Sequence, residues 1–192
     1  QVDIGTQRKR SGVGGSWFRT SEWEYAVKFR QETRDGTKRS AGAFFVNAAN
    51  LVEPVTYETD QLDASASYTG RRWQAKLAYY GSMFRNANPT LTWQNPFTIP
   101  ALPAAGLGQL ALPPDNQFHQ VLASAGFQFN DRTRATADIA FGRMSQNENF
   151  LASTQTGGLA VGALPGTSLD GRADTLNANL KLSSAVTHKL RL

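Results

Sequence analysis

The segment from Trp23 to Arg30 (WEYAVKFR) alternates apolar and polar residues with period two. Successive side chains of a strand point to opposite faces, so the pattern predicts a strand with one apolar face and one wet face. The pattern recurs five times. Over 61–69, Leu62, Ala64, Ala66 and Tyr68 alternate with Asp63, Ser65 and Ser67. Over 73–84, Trp73, Ala75, Leu77 and Tyr79 oppose Gln74, Lys76 and Ser82. Over 118–129, Val121, Ala123, Ala125, Phe127 and Phe129 oppose Gln120, Ser124 and Gln128. Over 132–144, Ala135, Ala137, Ile139 and Phe141 oppose Arg134, Thr136 and Asp138. Over 172–183, Leu176, Ala178, Leu180 and Leu182 oppose Thr175, Asn177, Asn179 and Lys181. Each run is close to the ~9–11 residues with which a tilted strand crosses a bilayer.

The connections sort by length. Thr69-Gly70-Arg71-Arg72, Asn130-Asp131-Arg132 and Ser184 to His188 read as tight turns. Residues 33–60, 85–117 and 145–171 read as long loops, the second carrying six prolines from Pro89 to Pro114 and the third rich in glycine. Short turns at one end and long loops at the other are how bacterial outer-membrane barrels are built, and a soluble sandwich has no reason for such sorting. The expected fold is therefore all-β: an antiparallel up-and-down transmembrane β-barrel segment with short periplasmic turns and long extracellular loops. Aromatic positions support it. Trp23, Tyr68, Trp73, Phe127 and Phe129 fall near the short turns, and Phe29, Tyr79 and Phe141 toward the long loops, as two interfacial belts would.

Composition narrows the classes. No run of 18 apolar residues exists, which excludes a transmembrane helix. A mean hydropathy of −0.41 does not argue against a membrane barrel, whose alternating strands average to a polar value. Cysteine is absent, which excludes disulfides, thiolate metal sites and covalent haem attachment. The net charge of +5 reads first as solubility and turn chemistry, with anionic lipid or an acidic partner as the functional alternative; no nucleic acid is expected, because no binding motif accompanies the charge. Gln1 to Arg8 reads as a strand and not as a signal peptide, and Lys189 to Leu192 as a strand just starting. Residues 1–192 are expected to form part of a single large outer-membrane barrel, with about six full strands and partial strands at both ends.

No catalytic set emerges. His119 lies near Asp115, yet no nucleophile stands in a recognisable context, so a structural or interfacial histidine is expected. The glycine runs at 12–15 and 156–158 precede no helix, which rules out a phosphate loop. Carboxylates are scattered and show no metal-ligand spacing. The expectation is no enzyme, no metal and no cofactor of the chain's own. What remains is the polar face. Glu24, Lys28, Arg30, Asp63, Lys76, Arg134, Asp138, Asn177, Asn179 and Lys181 are the candidate lumen-facing residues. A slip of one residue in register would exchange them for their apolar neighbours.

Several segments resemble the MtrB/PioB family of decahaem-associated outer-membrane proteins. They are 30–39 (RQETRDGTKR), 52–60 (VEPVTYETD), 79–88 (YYGSMFRNAN) with 91–97 (LTWQNPF), 108–119 (GQLALPPDNQFH), 142–150 (GRMSQNENF) and 164–171 (LPGTSLDG). The resemblance covers most of the chain from about Trp23 onward. It implies a barrel of roughly two dozen strands or more, sheathing a periplasmic multihaem c-type cytochrome that carries electrons across the outer membrane. The haem c would belong to that partner and the ten polar-face residues would be candidate contacts. Outer-membrane lipid would surround the barrel, and an extracellular cytochrome is a further candidate partner. Some members carry a Cys-x-x-Cys near the N-terminus, which this chain lacks. Three rival readings stand beside it: a general porin or solute channel, an outer-membrane enzyme, and a soluble β-sandwich that binds through Trp93 and the proline-rich loop.

Overall fold

The computed structural model describes residues 3–44, 47–95, 106–187 and 190–191. Ten strands form among these residues: β1 (Gly5–Phe18), β2 (Trp23–Phe44), β3 (Asn47–Thr69), β4 (Trp73–Asn86), β5 (Thr90–Gln94), β6 (Leu107–Ala111), β7 (Asn116–Asn130), β8 (Thr133–Gln146), β9 (Gly171–Thr187) and β10 (Leu190–Arg191). Eight of them make one antiparallel sheet in the order β1-β2-β3-β4-β7-β8-β9-β10. β5 and β6 pair separately as a small hairpin inside the β4–β7 connection. The sheet is open within this chain, with β1 and β10 at its edges.

The register separates the two faces. On one, Trp23, Tyr25, Val27 and Phe29 of β2 pair with Tyr68, Ala66, Ala64 and Leu62 of β3. Ala66 and Ala64 face Leu77 and Tyr79, which face Ala123 and Val121, then Ile139 and Phe141, then Ala178 and Leu176. None of the described residues covers this face. Leu180 is 80% exposed and Leu176 68%. A contiguous apolar band of this size belongs against lipid or a partner and not in water. Such exposure removes the soluble sandwich, whose apolar face would be packed on a second sheet.

The short turns hold their shape through local chemistry. Thr20 Oγ1 accepts from the backbone N–H groups of Glu22 and Trp23, each at 3.3 Å, between β1 and β2. Gly70 N–H donates to Trp73 O at 2.9 Å. Asn130 Oδ1 accepts from Arg132 N–H at 2.9 Å, an Asx turn. The last pairs before these turns step steadily along the sheet. Phe18 and Glu24 are level with Lys76, and Thr69 pairs with Gln74. Asn130 lies past Phe127, which pairs with Trp73, and Thr187 past Ser184, which pairs with Thr133. The drift is roughly eight residues over six strands. With ~3.3 Å per residue and ~4.8 Å between strands, turns sharing one level require a lean of about 40°. Membrane barrels lean by ~35–45°.

Three sequence expectations are corrected. Residues 33–60 are not a loop. β2 and β3 run on as one long hairpin, paired from Thr33↔Glu58 to Phe44↔Asn47. Here Glu32, Thr33, Arg34 and Asp35 put polar groups on both faces, so the two-residue hydrophobic signal fades while backbone pairing continues. Pro54 fits because β4 stops pairing at Tyr57 and leaves that edge without a ladder partner. Residues 85–117 hold β5 and β6, although Pro96, Pro100 and Pro103 lie outside the described residues. Of the turn expected at 184–188, Ser184–Thr187 still belong to β9, and His188 is outside the described residues.

Buried side chains gather at the long-loop end. Val55 (1% exposed) and Leu112 (5%) are the buried apolar residues among those described. The β4–β7 connection folds back onto β3 there. Ala87 N–H donates to Thr56 O at 3.0 Å, Asn86 N–H to Asp115 Oδ1 at 2.7 Å and Asn86 Nδ2 to Pro113 O at 3.0 Å. Farther out, Trp93 of β5 meets Phe44 edge-on at 5.8 Å, and a Cβ on Gly42 would overlap the indole.

Candidate functional site on the polar face

The register brings all ten polar-face candidates to one side of the sheet. One row crosses six strands through Glu24, Ser67, Lys76, Ser124, Asp138 and Asn179. Another passes through Lys28, Asp63, Tyr80 and Gln120. Arg30 faces Gln61, Arg134 faces Ser183, Asn177 faces Ala140 and Lys181 faces Thr136. Most of these neighbours are small or polar, which leaves room above the sheet. A hollow of about 860 Å³ lies here, bordered by Lys28, Arg30, Asp63, Lys76, Tyr80 and Gln120.

The charges on this face are mixed, with the positive sign in excess. Arg30 Nη2 donates to Asp63 Oδ2 at 3.1 Å, and Arg134 Nη2 to Gln74 Oε1 at 2.9 Å. Lys28, Lys76 and Lys181 make no ion pair among the described residues. The sequence reading missed Arg8 and Arg10 of β1 and Glu32 of β2, which belong to the same face. Arg8 Nε lies 2.9 Å from Glu32 Oε1, and Arg10 binds the other oxygen. The alternation of Arg8, Arg10, Gly12, Gly14 and Ser16 with Val13 and Trp17 carries that signal, but glycines at three of the eleven positions 7–17 (Gly12, Gly14 and Gly15) obscure it.

No catalytic arrangement forms among the described residues. His119 falls on the apolar face at the top of the band, where its Nδ1 lies 2.7 Å from the Tyr79 hydroxyl. Asp115 is engaged with the Asn86 backbone and does not serve His119. No group of three or more potential metal ligands gathers among the described residues.

The apolar band, the aromatic run at its short-turn end and the polar opposite face define a wall segment of an outer-membrane β-barrel. Trp23 and Tyr68 meet at 5.1 Å, Tyr68 and Trp73 at 4.2 Å, and Phe127 and Phe129 at 4.9 Å along that run. Comparison with known proteins narrows the class. Residues 1–192 match the family described as "Putative outer membrane beta-barrel porin, MtrB/PioB", and the chain belongs to that family, a non-enzymatic group of the outer membrane. It is 35% identical over 192 residues to the outer membrane protein MtrB of Shewanella baltica (strain OS185), covering 100% of this chain and 26% of that protein. The chain thus spans about a quarter of the relative it matches.

Proposed function

We propose that the chain is part of the wall of a single large barrel that sheathes a multihaem c-type cytochrome, holding it across the outer membrane for electron transfer. The apolar face meets lipid, where closure pairs every backbone group. The polar face lines the lumen. Glu24, Lys28, Arg30, Asp63, Lys76, Arg134, Asp138, Asn177, Asn179 and Lys181 are the candidate contacts to the cytochrome. The observation that carries the reading is the row from Glu24 to Asn179: long charged groups are spaced by serines, so a folded protein can approach the wall closely. The haem, attached to the partner, supplies the redox chemistry, and the barrel supplies insulation and a fixed path.

A second reading, a general solute channel, is favoured by the family's description as a porin and by the open hollow on the polar face. Purification of the full-length barrel from detergent-solubilised outer membranes, followed by staining for covalent haem, separates the two. A co-purifying multihaem cytochrome is the expected result. A haem-free barrel that conducts ions in planar bilayers, isolated from cells that make the cytochromes, would replace the sheath by the channel.

A further inference from the structure

The two ends of the apolar band carry different chemistry. At the short-turn end it closes on indoles and phenols in mutual ring contact. At the long-loop end it closes on ion-pair clusters that lie on the same face as the band. Arg143 and Asp174 pair one row beyond Phe141 and Leu176, and Ser145 and Arg172 pair one row further.

We propose that the Arg143–Asp174–Arg172 cluster binds the phosphate of a phosphorylated lipid headgroup in the leaflet at the long-loop end. The proposal rests on the reading that the apolar face meets lipid. Arg143 Nε donates to Asp174 Oδ1 at 2.8 Å, and Arg172 Nη2 to Asp174 Oδ2 at 2.7 Å. Two guanidiniums share the Asp174 carboxylate in direct ion pairs, while Asp170 acts on Arg172 only from beyond ion-pair distance, so the directly paired cluster holds one more cation than carboxylate. Both arginines remain about half exposed, with further N–H groups to offer. A guanidinium donates two parallel hydrogen bonds to phosphate oxygens, a geometry that lysine lacks. Directly below lie exposed Phe141 and Leu176, and the Arg143 guanidinium sits 5.8 Å from the Phe141 ring centre. An acyl chain against the band therefore ends in a headgroup at the arginines. A free phosphate would use only the upper half of this arrangement.

The neighbouring cluster on the same face argues the point by contrast. Arg85 lies 3.1 Å from Asp60 and 3.4 Å from Glu58, one cation between two carboxylates. Its net negative charge repels a phosphate. The two clusters are thus a test and its control.

The experiment is native mass spectrometry of the full-length barrel reconstituted with a bisphosphorylated lipid A. Arg172→Gln removes the second guanidinium and leaves the Arg143–Asp174 pair in place. The expected result is a retained lipid A adduct that falls about tenfold in Arg172→Gln, the loss of roughly one charge-assisted hydrogen bond. Arg85→Gln should retain it. Equal retention in all three proteins overturns the proposal. Displacement of the adduct by millimolar inorganic phosphate also overturns it, in favour of a simple anion site. A nitroxide at Leu180→Cys tests the underlying reading separately. Accessibility to water-soluble quencher there sinks the lipid-facing assignment itself. Accessibility to oxygen alone, with unchanged lipid retention, sinks only the arginine site.

Discussion

The lower part of the sheet and the cap above it are stabilised in opposite ways. In the banded part, from Trp23 to Phe29 and across to Leu182, large apolar side chains stay exposed and the strands are held by continuous backbone pairing. Near the long loops, the same β3 strand carries the buried Val55 and the β4–β7 connection the buried Leu112, and loop hydrogen bonds fasten that connection. One region needs an external apolar medium and the other carries its own. The difference shows why alternation was clear in one region and faint in the other. Lipid imposes a one-sided pattern on a strand, whereas water on both faces of a protruding hairpin imposes none.

The largest expected effect tests the face assignment in the band. Ile139→Arg places a guanidinium among Ala123, Ala178 and the exposed leucines of β9. If this face meets the bilayer midplane, folding into vesicles weakens by ~2–4 kcal/mol. Asp138→Arg, one residue away on the polar face, should change it by less than ~1 kcal/mol. Urea titration of the full-length barrel in lipid vesicles measures both. Equal losses would mean that the two faces are not lipid and lumen.

The cap should respond locally. Leu112→Ala leaves a void where a buried side chain sat and should cost ~2 kcal/mol or more, in the range for truncated buried leucines. The loss falls on the docking of 87–95 and 106–115 near β3, where Ala87 binds Thr56 and Leu112 N–H donates to Pro89 O at 3.0 Å. Hydrogen exchange should rise in that segment while β7, β8 and β9 stay protected. Uniform loss of protection would show that cap and band unfold as one unit. Gly42→Leu is the companion test at the outer end. Its side chain would collide with Trp93 and should displace the β5–β6 hairpin at a cost of ~1–3 kcal/mol.

How much of this was legible in the sequence follows the same division. Six strands and the sharing of one face by all ten candidates came directly from alternation, because lipid-type burial writes a period of two into residues such as Leu176, Ala178, Leu180 and Leu182. The β2–β3 extension was not legible. Arg34 and Asp35 are adjacent and both polar, yet both pair regularly with Tyr57 and Thr56. Pairing there rests on backbone groups, which leave no mark on side-chain polarity. Trp93 was visible as an aromatic in a proline-rich stretch, but its seat against Phe44 and Gly42 depends on the same unseen hairpin. Arg8 and Arg10 were missed because a glycine-rich strand carries too few side chains to announce its faces.

The smallest expected effect is electrostatic and belongs to the cap alone. Lys38 lies 2.8 Å from Glu53, whose side chain is nearly buried, and its ammonium also reaches the Tyr57 hydroxyl at 3.4 Å. The hydrogen bond to Glu53, then that to Tyr57, hold the ammonium charged above the ordinary lysine range, against the opposing effect of burial. A group whose folded pKa is raised contributes stability that is complete below its unfolded pKa of ~10.4 and fades as pH rises through the folded value. Lys38 is 42% exposed, so screening by water keeps the gain small. A spin-label pair spanning Ser40 of β2 and Thr92 of β5 should report one distance at neutral pH and a broader distribution above about pH 10.5. Lys38→Arg, charged throughout that range, should delay the broadening to higher pH. Lys38→Met should broaden the distribution at neutral pH and remove its pH dependence. A distance that broadens identically in the original chain and in Lys38→Arg would trace the change to another titrating group, and the pair with Glu53 would then play no part in holding the cap.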